Sequence, residues 1–288
     1  MPEPPEYERQ AALLRRIGAL VYGDPRRSGP FSVEEIYRAM DREDELAIDA
    51  ALKKLERAEV ISLDLRGAKV GLLGHGRSLC ASGAIAEVVL GRDYIAKRLG
   101  PAVVHIIVKN SSGDESGATG FLPAFPWKSL VTAAHVLREK TLVKIVCSDG
   151  SEIRREHCDP PLYGPDDLDL AIVRCEPPTG VDPIPIEWRK RSASPLADLI
   201  TFGYPRIAWV QPGLHHATAQ LHQTATRYSQ RDSLIISSAQ PGCSGGPVID
   251  ERGYVIGVIE QENISEELGK TTSFFCATPA HYLAELMQ

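Results

Sequence analysis

No run of apolar residues in this 288-residue chain approaches the roughly 20 needed to cross a bilayer, so no membrane-spanning helix is expected. Basic charge is in short supply too: 32 Lys and Arg stand against 38 Asp and Glu, a formal net charge of −6. That balance supplies no general attraction for nucleic acid or anionic lipid. Closely spaced pairs of metal ligands are missing. His157-Cys158 stands without a second pair, so neither a metal nor another cofactor is expected. Internal repeats and low-complexity tracts are absent as well. The first residues, Met1-Pro2-Glu3-Pro4-Pro5-Glu6, are acidic and proline-rich where a secretory signal is basic and then apolar, which predicts a cytoplasmic location.

What is present begins with enough length for two domains, each able to bury a core. Six cysteines (Cys80, Cys147, Cys158, Cys175, Cys243 and Cys276) could form three disulfides, but a cytoplasmic address predicts free thiols on buried strands. The first third is helical in pattern. Leu13, Leu14, Ile17, Leu20 and Val21 recur at helical spacing over 7–22, and Asp24-Pro25 and Ser28-Gly29-Pro30 interrupt them. Ser32 followed by Glu35 forms a capping box for a second helix reaching Met40. A third helix is predicted over 44–58, with Leu46, Ile48, Ala51, Leu52 and Leu55 inward. Two short strands, 60–63 and 69–73, read as a hairpin through Arg66-Gly67. One helix over 78–99 is expected to join the domains and to end at Gly100-Pro101.

From Ala102 the pattern changes to short β runs separated by turns, with a proline-rich crossing at Pro177, Pro178, Pro183 and Pro185. Pro279 to Met287 reads as a terminal helix. Three blocks in this half carry chemistry. In Pro241-Gly242-Cys243-Ser244-Gly245-Gly246-Pro247-Val248, glycines let the backbone bend so that a hydroxyl and nearby amide N–H groups face one spot. Acyl transfer needs that arrangement, although Gly-Ser-Gly-Gly by itself is also an ordinary turn. Leu130-Val131-Thr132-Ala133-Ala134-His135 delivers a histidine after a β-type run, and Asp167-Leu168-Asp169-Leu170-Ala171-Ile172-Val173 brings a carboxylate to another. His215-His216 and His222 fall in an expected loop and match no such block.

These blocks, in the order His, Asp, Ser, closely resemble the trypsin-like (chymotrypsin-fold) serine proteases, particularly their compact bacterial type. The resemblance covers 101–288 and implies an all-β double barrel with an intact triad. His135 would be the general base, Asp169 its orienting carboxylate and Ser244 the nucleophile, with the N–H groups of Gly242 and Ser244 as the oxyanion hole. Asp166 and Asp167 compete with Asp169, which is favoured because it directly precedes the apolar run. The residue before Gly-Gly is Ser244, which argues against Cys243 as the nucleophile. Trypsin has an aspartate where Cys243 stands, and a thiol cannot form that residue's activating ion pair with a freed N-terminus. Ile259, Glu260, Gln261 and Glu262 align with the edge that receives the substrate peptide. Their two carboxylates would favour Arg or Lys at the cleaved position, against the plainer reading of a solvated edge.

Residues 1–78, three helices and a hairpin, resemble a winged helix-turn-helix domain, with 79–100 as helical linker. The fold class expected is thus multidomain: a small α+β winged-helix-like domain followed by the double barrel. Up to Gly91 there are 13 Lys and Arg against 15 Asp and Glu, a net of −2, and Asp41-Arg42-Glu43-Asp44-Glu45 leads into the third helix. Without a basic footprint, docking of a protein partner or substrate is favoured over nucleic acid. The whole reads as an intracellular endopeptidase acting on a protein substrate, and such fusions resemble parts of bacterial signalling or antiviral defence cascades. The alternatives are a DNA-binding regulator with an attached protease and an inactive protease scaffold.

Overall fold

A computed structural model of the chain describes residues 5–24, 29–40, 44–64, 68–190, 196–206, 212–226, 231–263 and 274–287; for 261–263 and 274 it describes backbone alone. The chain divides into two compact units, 1–95 and 96–288. Among the described residues no helix is long and apolar enough to cross a membrane.

The first unit opens with α1 (Glu6–Tyr22), which buries Ala11, Leu14, Ile17, Gly18 and Val21 along one stripe. After β1 (Phe31–Ser32), the capping box starts α2 (Val33–Ala39). The Ser32 hydroxyl oxygen accepts the Glu35 N–H at 3.0 Å, and the Glu35 carboxylate accepts the Ser32 N–H at 2.8 Å. Asp44 caps α3 (Glu45–Arg57) by accepting the Ala47 N–H at 2.9 Å. Strands β2 (Ile61–Asp64) and β3 (Lys69–Leu72) pair antiparallel, and β1 adds to the other edge of β3. Arg66-Gly67 at the expected turn, Pro25 to Ser28, and the Asp41-Arg42-Glu43 stretch lie outside the described residues.

Two expectations for this unit change. Leu46 is 83% exposed, while Ile48, Ala51, Leu52 and Leu55 are buried. Two residues of helix turn the side chain by about 200°, so Leu46 cannot share the face of Ile48. The single helix expected over 78–99 is instead three: α4 (Gly74–Ser82), α5 (Ile85–Leu90) and α6 (Arg92–Leu99). Gly83 and Gly91, at φ 72° and 73°, make the breaks in a backbone region that favours glycine.

The first of these helices pack on α1 instead of bridging. A Cβ at Gly18 would lie 2.4 Å from Ile85 Cδ1, and Ala11, Ala86 and Tyr94 form a buried cluster. The Arg15 guanidinium donates from one Nη2 to Glu87 Oε1 and to the Tyr94 hydroxyl, both at 2.8 Å. Glu87 is only 1% exposed, so Arg15 supplies the counter-charge that makes its burial tolerable. Residues 79–95 therefore belong to the first unit. Helical spacing in the sequence exposed an apolar stripe there without revealing what covers it.

The second unit is built from antiparallel strands. Its first half contains β4 (Val103–Lys109), β5 (Glu115–Phe121), β6 (Ser129–Thr132), the single turn α7 (Ala134–Leu137), β7 (Thr141–Val146), β8 (Glu152–Arg154), β9 (Leu162–Tyr163) and β10 (Ala171–Arg174). These strands form one sheet in the order β8-β7-β4-β5-β6-β10-β9. The second half contains β11 (Asp198–Gly203), β12 (His215–Thr226), β13 (Asp232–Ile236), β14 (Pro247–Ile249), β15 (Val255–Asn263) and β16 (Phe274–Pro279). It closes into a barrel in the order β11-β12-β13-β16-β15-β14. His215, His216 and His222 lie on β12, a strand where a loop was expected, and the terminal segment Ala280–Met287 is a 3₁₀ helix.

Candidate active site

The register of two neighbouring strands explains how a histidine and a carboxylate 34 residues apart meet. β6 and β10 pair antiparallel with Ala171 opposite Thr132 and Ile172 opposite Val131. Continuing that register two residues past the ladder brings Asp169 level with Ala134, beside His135. Residues 130–132 and 171–173 are buried on both faces of the sheet, so both strands are internal and the ladder between them sets the register. The Asp169 carboxylate then takes two hydrogen bonds from one residue. Oδ1 accepts the His135 backbone N–H at 2.8 Å, and Oδ2 lies 2.7 Å from the ring Nδ1.

Burial would by itself raise the Asp169 pKa. The hydrogen bonds and positive field of His135, with a smaller contribution from Arg138, outweigh it and hold the carboxyl below its ordinary value. Its neighbours in sequence go elsewhere: Asp166 lies 3.5 Å from Arg138, and Asp167 pairs with Arg231 at 2.7 Å.

The serine loop is held by its own backbone. The N–H groups of Cys243, Gly245 and Gly246 donate to Gln240, Ile259 and Cys243 respectively, at 2.7–2.9 Å. Among the described residues, the N–H groups of Gly242 and Ser244 have no such acceptor. Two donors on either side of Cys243 are thus left for a ligand oxygen. Gly242 and Gly245 adopt φ of 96° and 84°. Cys243 is buried, which pushes its thiol up, and its Sγ fills the space where a Cβ on Gly203 would sit.

Thr119, on β5, joins this loop to the other half of the unit. Its N–H donates to the Ser244 carbonyl at 3.0 Å, and its hydroxyl donates to the Gly242 carbonyl at 2.8 Å. The same hydroxyl accepts the Tyr204 N–H at 2.9 Å, and the Thr119 carbonyl accepts the Thr132 hydroxyl at 2.7 Å. Ser244 is therefore anchored by its backbone to β5, and Thr119 in turn is tied to Thr132 on β6, the strand leading to His135. No hydrogen bond of the Ser244 hydroxyl is formed among the described residues.

Residues 118–258 match the family model of the trypsin-like peptidase domain. Over those residues the chain carries a trypsin-like peptidase domain. Solved structures share its fold. The active form of the Rv3671c protease from M. tuberculosis is 22% identical, with a TM-score of 0.54 over 67% of this chain and 82% of that one. The serine endoprotease from Yersinia pestis is 18% identical, with a TM-score of 0.53 over 67% and 64%. The HtrA-type protease AlgW, solved with a tripeptide, is 19% identical, with a TM-score of 0.53 over 67% and 61%. Among proteins of curated function none matches the chain.

In this peptidase the predicted substrate edge divides. The Ile259 N–H and carbonyl are both taken by the serine loop, at 2.8 and 2.7 Å, so its backbone clamps Gly245 and Gly246. Glu260 is 8% exposed and accepts a hydrogen bond from the Thr278 hydroxyl, so its charge is turned into the barrel. The expected pair of carboxylates at the edge reduces to Glu262, whose side chain, like that of Gln261, lies outside the described residues. The reason is a register shift between Ile259 and Glu262 against β16, which re-aims the residues between them. Thr119 stands outside the three blocks that the sequence singles out. A threonine between two small residues carries no signal of its four partners.

The peptidase loop leaves no room for a side chain at Gly245. A Cβ there would lie 2.1 Å from Thr132 Oγ1 and 2.3 Å from the Thr119 carbonyl oxygen, at a φ already unfavourable for alanine. Gly245→Ala is expected to destabilise the second unit by about 2–4 kcal/mol. A lowered urea midpoint with an unchanged slope would report it; an unchanged midpoint would contradict the packing.

Proposed function

We propose that the chain hydrolyses peptide bonds of a protein substrate through an acyl-enzyme on Ser244. His135 takes the serine proton during attack and returns it to the leaving amine. Asp169 keeps the imidazole Nδ1 protonated, so that Nε2 is free to accept, and stabilises the imidazolium that forms. The Gly242 and Ser244 N–H groups hold the oxyanion, each worth about 3 kcal/mol of barrier. The observation that carries the reading is the two-point grip of Asp169 on His135, at 2.8 and 2.7 Å. β15 runs beyond the part paired with β14, which suits addition of an extended substrate at residues 260–263.

The first unit serves as a winged-helix-like docking module for a protein partner or the substrate, inside a bacterial cell and within a signalling or defence cascade. Two features support docking over DNA binding. The N-terminal end of α3 presents Asp44, Glu45 and the exposed Leu46, where phosphates would require cations. Lys54, further along, is hydrogen-bonded to Gln10 at 2.7 Å.

A serine-directed organophosphonate tests the catalytic part. Mass spectrometry of the full chain is expected to find one adduct, on Ser244, and a fluorescent duplex DNA is expected not to bind at 50 mM salt. An adduct elsewhere would remove the nucleophile assignment. Duplex binding that weakens steeply with salt would replace docking by DNA recognition.

A further inference from the structure

Cys158 and Cys175 are the only pair of cysteines that an isolated antiparallel bridge places face to face among the described residues. Around that bridge, the Asp159 N–H donates to the Arg174 carbonyl at 2.9 Å, one residue outside each cysteine. The cysteines therefore occupy the narrow, non-hydrogen-bonded position of the pair, where Cα atoms lie about 4.5 Å apart. That separation falls inside the range a disulfide spans. Both thiols are free, Cys158 is partly exposed and Cys175 is buried at 5% exposure.

We propose that Cys158 and Cys175 are a peroxide-responsive thiol pair whose disulfide staples the loop bearing Asp169. The 16 residues between them include β9, the first turn-forming stretch after it, Asp169 and β10. A crosslink ties both ends of that segment at the place where β10 leaves the sheet. The inference stands on thiol geometry and does not depend on the catalytic reading of Ser244.

The chemistry has an order. The neighbouring Cys175 thiol lowers the Cys158 pKa, against burial and the fields of Asp159 and Glu156, and the Cys158 thiol itself donates to the Arg154 carbonyl at 3.5 Å. The same contact, with burial, pushes Cys175 up. Cys158, as the accessible thiolate, attacks hydrogen peroxide. An S–O bond forms, the O–O bond breaks, and hydroxide leaves and is protonated to water. Cys175 Sγ then attacks the sulfenic sulfur. The S–S bond forms as the S–O bond breaks, and hydroxide departs with the Cys175 proton as a second water. Two electrons pass from the two thiols to one peroxide.

The test uses the full-length reduced chain, treated with hydrogen peroxide, alkylated and digested for mass spectrometry. A Cys158–Cys175 crosslinked peptide that dithiothreitol reverses is expected, with a rise in Tm of about 5–10 °C. Cys158→Ser is expected to leave Cys175 alkylatable and to abolish the rise. Cys175→Ala is expected to accumulate a Cys158 sulfenic acid trapped by dimedone; should this buried substitution unfold the chain, Cys158→Ser carries the comparison. The same crosslink is expected in a Ser244→Ala background. Both thiols still alkylatable, a link from Cys175 to Cys147, or overoxidation of Cys158 without a crosslink would each overturn the proposal.

Discussion

Ser244→Ala is expected to lower kcat for a cleavable peptide by roughly 10⁶, leaving the residual that oxyanion donors and binding supply on their own. The size follows from how the site divides its work. Removing the hydroxyl removes the only atom that can form the acyl bond, so the contributions of His135 and Asp169 are lost with it. The backbone does not depend on the side chain. Thr119 holds the Ser244 carbonyl, and Gly245 and Gly246 donate to Ile259 and Cys243 whichever side chain residue 244 carries. Tm is therefore expected to stay within a few degrees of the parent, which separates lost chemistry from lost fold. Activity above about 1% of the parent would sink the assignment. A residual sensitive to thiol reagents would move the nucleophile to Cys243, whose burial and raised pKa argue against it.

Asp169→Asn is expected to cost about 10⁴ in kcat with little change in KM. The amide oxygen can still accept the His135 backbone N–H, so the turn stays in place. Its NH₂ group, however, faces Nδ1, which must then carry a lone pair. The proton moves to Nε2, where it blocks acceptance from serine. The same substitution changes the pH dependence of stability. Asp169 has a folded pKa below its unfolded value, so the stability it contributes is present above roughly pH 4 and is lost as pH falls through the folded pKa. The parent is thus expected to lose stability toward acid more steeply than the asparagine variant. Parallel urea midpoints of the two from pH 6 to pH 3 would contradict that, and a fall in kcat below tenfold would leave Asp169 without its assigned part.

Much of this was legible in residue order. The capping box at Ser32 and Glu35 is a local arrangement of neighbouring groups, and the structure forms it in the three-residue span in which it is written. The β-type runs at 130–132 and 171–173 are buried strands, as continuous apolar stretches imply. The failures have one cause. Leu46, the helix over 78–99 and Glu260 each depend on what an element packs against or on how a ladder slips. Periodicity carries neither. Glu260 is turned inward by a register shift between the Ile259–Ala277 and Glu262–Phe275 pairs with β16, partners that lie well beyond one helical or strand period in sequence.

By itself, then, the amino-acid order determined which local elements form and which chemical groups lie at their ends, because caps, turns and apolar periods act over three or four residues. Only the tertiary structure decided which groups meet. The pairing of β6 with β10 selects Asp169 over Asp166 and Asp167 for His135, and Thr119 on β5 binds the Ser244 loop that belongs to the barrel. The bridge beside β10 likewise sets two cysteines face to face. Each is a contact between distant segments, fixed by strand register and burial, and register is a property of two strands together.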